Sequence, residues 1–328
     1  MDRDSLELRS TVTADGTLRL NLEKVSLPEP GPGQVLVRVE AAPINPSDVL
    51  TLTGEYGMLP PLPAIGGNEG VGRVEQLGEG VKHLKVGQTV LLPVGCGTWV
   101  THLNAPADKL IPLPDADPQQ LAMMTINPPT ASLLLSQFVD LQPGDWVIQN
   151  AANSGVGGYL IQLAKLRGFK TINVVRRESA VAGVKAEGGD VVLVDGPDLH
   201  KRVREATGGA KLMLGIDAIG GPATDHIAAC LSESGTLVNY GLMSGQPCQV
   251  SAASFVFRDV TLRGFWLAKW FQKATPAEQM KVFGELTQLI ASGKLKARIA
   301  ATYSVAQIKE AVAAAASGER DGKILIAP

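Results

Sequence analysis

The run Asn150-Ala151-Ala152-Asn153-Ser154-Gly155-Val156-Gly157 joins two unlike segments. Before it lies the apolar stretch Trp146-Val147-Ile148-Gln149. After it, from Gly155 to Arg167, apolar residues recur at Val156, Leu160, Ile161, Leu163 and Ala164. The first pattern predicts a strand and the second a helix. Small residues at such a junction let the backbone approach a pyrophosphate, and the helix start offers free N–H groups and the positive end of its dipole. Of the three glycines of a dinucleotide fingerprint only the third, Gly157, is kept; the first two positions read Ala152 and Ser154. A strand–helix turn without a ligand is the alternative, and the further strand–helix alternations downstream favour the phosphate. The next predicted strand, Thr171-Ile172-Asn173-Val174-Val175, ends in Arg176-Arg177 and then Glu178. An acidic residue at that point would take a ribose 2′-OH, whereas Arg accommodates a 2′-phosphate. Two guanidinium forks suit a phosphate dianion. The cofactor expected is therefore NADPH, with Glu178 as an opposing like charge.

A second candidate for chemistry is Tyr56, in the Gly- and Pro-rich segment Gly54-Glu55-Tyr56-Gly57-Met58-Leu59-Pro60. A phenol keeps its proton at neutral pH and can donate it, and catalytic groups are often carried on such loops. On pattern alone, a ring that merely lines a pocket is an equally good reading. Metal chemistry finds little support. His83, His102, His200 and His226 are scattered, and Cys96, Cys230 and Cys248 are odd in number with no CxxC spacing. Such usage fits a reducing compartment and argues against a disulfide framework.

These residues need a scaffold. A chain of 328 residues predicts two domains. The first ~115 residues read as short strands punctuated by Gly and Pro, the pattern of a barrel-like β domain; examples are Val35–Val39, Val71–Gly78 and Gln88–Leu92. Beyond them apolar strands alternate with helices: Trp146–Gln149, Thr171–Val175, Val191–Val194, Leu212–Asp217 and Thr236–Tyr240. That alternation predicts a doubly wound parallel sheet. Helices are expected over Pro276–Ser292 and Val305–Ser317, and a last strand over Lys323–Ile326. The expected division is a β-rich domain over residues 1–122, a nucleotide domain over 123–264 and a return to the first domain over 265–328. A net charge of −2 gives no general pull toward nucleic acid or membrane. The N-terminal residues show neither a secretory nor an Arg-rich transit pattern, so a cytoplasmic location is expected.

Several stretches together resemble the mitochondrial-type trans-2-enoyl thioester reductases, a zinc-free branch of the medium-chain dehydrogenase/reductase superfamily. They are Gly54–Pro60 with Leu62–Val71, Ile148–Gly157, Thr171–Arg176, and Leu262-Arg263-Gly264-Phe265-Trp266-Leu267. Zinc alcohol dehydrogenases of similar layout carry Cys or His near the positions of Asn45 and Asn68, and neither asparagine is a good zinc ligand.

The resemblance implies a GroES-like catalytic domain beside a Rossmann domain, an acyl thioester substrate on coenzyme A or acyl carrier protein, and a homodimer. It places the proton donor on Tyr56. Cofactor contacts fall on Asn127, on Asn153, Ser154, Gly155, Val156 and Gly157, and on Arg176 and Arg177. Further contacts fall on Tyr240, Gly241, Leu242 and Met243, on Phe265, Trp266 and Leu267, and on Lys323. No metal is implied. Two rivals stay open: an NADPH:quinone or enone reductase of the same fold, and a non-catalytic NADPH-binding protein.

Overall fold

The structure is a computed structural model that describes residues 3–12, 18–318 and 321–327. The chain divides into two compact units, Met1–Ile126 with Glu285–Pro328, and Asn127–Gly284.

The second unit is built on a six-stranded parallel sheet. In spatial order its strands are Val191–Val194, Lys170–Val175, Trp146–Gln149, Leu212–Asp217, Thr236–Asn239 and Thr261–Gly264. Numbered along the chain this order is 3-2-1-4-5-6, that of a dinucleotide-binding sheet. The inner strands are mainly apolar because helices cover both faces, and their buried polar residues Gln149, Asn173 and Asp217 are hydrogen-bonded. Ile148, Ile172, Leu212, Ile227 and Leu237 form one core cluster, and Ala152, Ile161, Val175 and Val184 another. The helix Asn127–Leu134 is buried along its whole length and packs on the helix Gly155–Leu166. Arg167 ties the two together, donating from its guanidinium to the carbonyl of Ser132 at 3.1 Å and to its hydroxyl at 2.7 Å.

The first unit holds a seven-stranded sheet whose longest strand is Gln34–Pro43. Val35, Val37 and Val39 turn the same way into a core with Ile44, Val74, Val90, Leu92 and Trp99, as period-two alternation requires. Ile308 and Ala311, from the helix Ile308–Ala316, cover this core beside Ile324 and Ile326. The strand Lys323–Ile326 pairs parallel with Ile299–Tyr303 and antiparallel with Gln34–Pro43. A smaller sheet joins Arg3–Val12 to Leu18–Leu27 and Ala64–Ile65.

Both boundaries differ from the expected ones. The first crossing falls after Ile126 instead of 122, and the return begins at Glu285 instead of 265. Residues 265–284 stay with the nucleotide unit because bonds and rings hold them there. Phe265 N–H donates to the carbonyl of Asn239 at 2.9 Å, and the Phe265 ring meets that of Phe138 edge-on at 6.0 Å. The sixth strand, Thr261–Gly264, carries part of the segment that resembles the reductases, and it sits at the open edge of the parallel sheet.

Candidate active site

In the second unit the chain leaves the strand Trp146–Gln149 and turns sharply, with Ala151 in the left-handed region at φ 47°. Ser154 caps the helix Gly155–Leu166, its hydroxyl accepting from Gly157 N–H at 3.1 Å. A Cβ on Gly157 would lie 2.4 Å from the carbonyl oxygen of Ala152. Only glycine permits that approach of helix to strand, the role of the third fingerprint glycine. The first-turn amides of the helix lack intrahelical acceptors by geometry and suit an anion. The turn therefore fits the phosphates of a dinucleotide.

One further member of the expected set meets this turn directly, and several others lie elsewhere in the second unit. The Tyr240 hydroxyl hydrogen-bonds the Ser154 side chain. Burial pushes the Tyr240 phenol well above the ordinary range, and the charge of Asp217 adds to the shift against that bond. Gly241 allows the chain to pass Ala218, since a Cβ there would meet its carbonyl oxygen at 2.5 Å. Leu242 and Met243 are exposed, at 55% and 58%. Arg176 is exposed and Arg177 half-buried where the strand Lys170–Val175 ends. Asn127 is buried at the first position of its helix. Phe265 meets the Phe138 ring edge-on at 6.0 Å, and the Lys269 ammonium lies 5.9 Å from the half-buried Trp266 ring. Leu267 opens the helix Leu267–Lys273.

A hub that sequence reasoning missed lies under this surface. Asp217 is fully buried at the end of its strand. One oxygen accepts from Asn150 Nδ2 at 2.6 Å and from the N–H groups of Ile219 and Gly220. The other accepts from the Thr224 hydroxyl at 2.8 Å and Asn239 Nδ2 at 2.9 Å. An Asp closing an apolar strand is the one signal the sequence carries for it.

The first unit holds the remaining candidates. Tyr56 is half-buried on the loop after the helix Pro46–Thr53, and its N–H donates to the carbonyl of Leu50 at 3.1 Å. Lys323 is buried, and its ammonium donates to Asn45 Oδ1 and to the carbonyl of Ile44. Asn45 Nδ2 in turn donates to Glu69 at 2.7 Å. The Asp48 carboxylate accepts from the N–H groups of Asn45 and Asn68 at 2.7 and 3.1 Å. Burial pushes Asp48 up to about 6 against the opposing charge of Lys323. The same two influences act on Glu69, which rises toward about 7.

A sheet of this order, entered from and returned to a β-rich unit, defines a two-domain medium-chain dehydrogenase/reductase. Residues 31–115 match the alcohol dehydrogenase GroES-like domain, and residues 155–285 match the zinc-binding dehydrogenase domain. The mitochondrial enoyl acyl-carrier-protein reductase of Rattus norvegicus is 39% identical over 85% of this chain and 76% of its own. That of Homo sapiens is 39% identical over 80% of this chain and 72% of its own. The chain belongs to this family of enoyl thioester reductases and is an oxidoreductase.

Among solved structures, the Etr1p complex with NADP and crotonyl-CoA superposes with a TM-score of 0.88, at 26% identity over 99% of this chain and 100% of that one. A chain from Bacillus thuringiensis described as an NADPH:quinone reductase gives 0.86, at 31% identity over 99% of both.

The comparisons correct one expectation. The curated relatives are mitochondrial proteins, against the cytoplasmic location inferred from the N-terminal residues. The composition of a few terminal residues is a weak reporter of cellular address. The zinc of the matched domain's description does not fit this chain. Where ligands would be sought stand the amides Asn45 and Asn68, the first of them bonded to an ammonium. Among the described residues no three of His, Cys, Asp and Glu gather to hold a metal.

Proposed function

We propose that the protein reduces trans-2-enoyl thioesters to saturated acyl thioesters with NADPH. The observation that carries this reading is the phosphate turn, capped by Ser154 and closed on Gly157, in a chain of the enoyl reductase family. When bound, NADPH supplies a hydride, which adds to C3 of the substrate.

The chain's own residues do the rest. The turn Asn153–Gly157 seats the pyrophosphate, and Arg176 and Arg177 grip the 2′-phosphate with charge-assisted bonds. Asn127, the segment Tyr240–Met243 and the segment Phe265–Leu267 shape the space around the ring that gives up hydride. Negative charge passes to the thioester oxygen, where fixed N–H donors would stabilise it. Tyr56 then gives its phenolic proton to C2, completing the saturated product.

The acyl group is carried on coenzyme A or an acyl carrier protein. The working form is a homodimer joined along the exposed edge strand Thr261–Gly264, beside the exposed Phe255, Val256 and Phe257; sedimentation of the full chain tests it, and a monomer refutes it.

The decisive experiment follows NADPH oxidation with crotonyl-CoA, with a quinone, and with a Tyr56→Phe variant. Enoyl-dependent turnover that falls by about 10²-fold or more in the variant supports both substrate and donor. Reduction of the quinone alone, unaffected by the variant, transfers the function to the quinone reductases that one structural neighbour represents.

A further inference from the structure

We propose that Glu69 is a positioning residue for this reaction: braced by Asn45 and Lys323, its carboxylate holds the backbone of Thr125 and Ile126 and so fixes where Asn127 leaves the first unit. The inference rests on the enoyl reductase reading for its kinetic part alone.

Glu69 is fully buried. One oxygen accepts from Asn45 Nδ2 at 2.7 Å, and the other from Thr125 N–H at 3.1 Å and Ile126 N–H at 3.0 Å. All three partners are donors, so the Glu69 oxygens accept every one of these bonds. Thr125 and Ile126 lie in the turn between the short helix Pro118–Leu121 and the helix Asn127–Leu134. They are the last two residues before the chain enters the nucleotide unit. Buried amides outside a helix or strand need an acceptor from elsewhere, and here it comes from 56 and 57 residues away in sequence.

A buried carboxylate is a costly acceptor for two amides that a neutral carbonyl could serve. Buried charges of this kind add little net stability and can impose one geometry. Asn45 supports that reading, since it relays between charges instead of filling space. Its oxygen takes the Lys323 ammonium and its amide nitrogen serves Glu69. The chain of bonds therefore runs from the C-terminal strand to the point of crossing. The next residue is Asn127, to which the family resemblance gives a cofactor contact. A shift of the crossing would carry Asn127 with it, and misplacement by about 1 Å costs on the order of 10²-fold in rate.

The test uses the full-length Glu69→Gln protein. Glutamine keeps the length and presents an NH2 to donors on one side, so one set of bonds is lost. The expected results are faster hydrogen exchange at the Thr125 and Ile126 amides with Val147 and Ile172 unchanged, an NADPH Kd within about threefold of wild type, and a kcat lower by about 10- to 100-fold. The kcat is read on whichever acceptor, enoyl thioester or quinone, the wild type reduces, so a failed substrate assignment leaves the anchor testable. Unchanged exchange at residues 125 and 126, a kcat within about twofold of wild type, or equal losses in kcat and NADPH affinity would each overturn the proposal. If the glutamine chain does not fold, Glu69→Asp, which keeps the charge but withdraws it by one methylene, is held to the same outcomes.

Discussion

Asn150 and Asp217, 67 residues apart in the chain, share a 2.6 Å hydrogen bond at the carboxyl ends of the first and fourth strands of the parallel sheet. The strand order reverses between these two strands, and in such sheets the dinucleotide crosses at that switch point. The reverse bond, from Ala218 N–H to Asn150 Oδ1 at 2.8 Å, locks the pair. Asp217→Ala strips the acceptor from Asn150, Thr224 and Asn239 together. Buried donors left without partners cost about 1–3 kcal/mol each. We expect a destabilisation of at least about 3 kcal/mol in urea unfolding, together with weaker NADPH binding. A loss below about 1 kcal/mol would mean that water replaces the carboxylate readily.

Arg176 and Arg177 are expected to set the choice between NADPH and NADH. Replacing both with Ala removes bonds to the 2′-phosphate worth about 1.5–3 kcal/mol each. The KM for NADPH should therefore rise by roughly 100-fold or more while that for NADH stays nearly constant. Parallel rises for both cofactors would place the phosphate elsewhere.

Gly157→Ala tests the turn sterically. The added methyl would sit 2.4 Å from the Ala152 carbonyl oxygen and 2.8 Å from that of Ala151, so the helix must move off the strand. Overpacking of this kind costs about 1–3 kcal/mol, and NADPH binding should weaken with it. A control at Gly284, where a Cβ meets nothing within 4 Å, should be near neutral. Equal behaviour of the two variants would remove the steric argument.

The buried carboxyls predict a pH dependence of defined sign. Burial raises Asp48 from 3.8 to about 6 and Glu69 from 4.5 toward about 7. Between these limits the folded chain binds more protons than the unfolded one. Their contribution to stability is thus full below about pH 4 and is lost as pH rises through 6 to 7. Glu69→Gln does not titrate in that window. Its stability relative to wild type should improve steadily from pH 5 to pH 8 in parallel urea titrations (about four points suffice). Two curves that keep a constant separation would show that Glu69 is ionised across the whole range.

Much of the nucleotide unit is legible residue by residue. The strands Trp146–Gln149, Val191–Val194 and Leu212–Asp217 have the bounds their apolar runs predict. A continuous apolar run bounded by polar or turn residues marks the limits of such a strand. The paired strands Arg3–Val12 and Leu18–Leu27 are a different case. Alternation such as Leu18-Arg19-Leu20-Asn21-Leu22 is a strand signal, yet it is short of the β-branched and aromatic residues that make one conspicuous. The site residues divide in the same way. Ser154 and Gly157 are legible because a local turn dictates them, whereas Glu69 is one of 32 acidic residues with nothing local to mark it.

The amino-acid order alone determined the parallel-sheet class, the strand–helix turn before Gly157 and the basic pair at Arg176–Arg177, because each depends on residues within a few positions of one another. Tertiary structure decided the rest. It kept residues 265–284 in the nucleotide unit through the Phe265–Asn239 hydrogen bond and the Phe138–Phe265 ring contact. It gathered five donors on Asp217, and it joined Lys323 through Asn45 to Glu69 and the amides of residues 125 and 126. Those contacts join residues tens to hundreds of positions apart, and burial, which makes an unpartnered charge or amide costly, is what selects them.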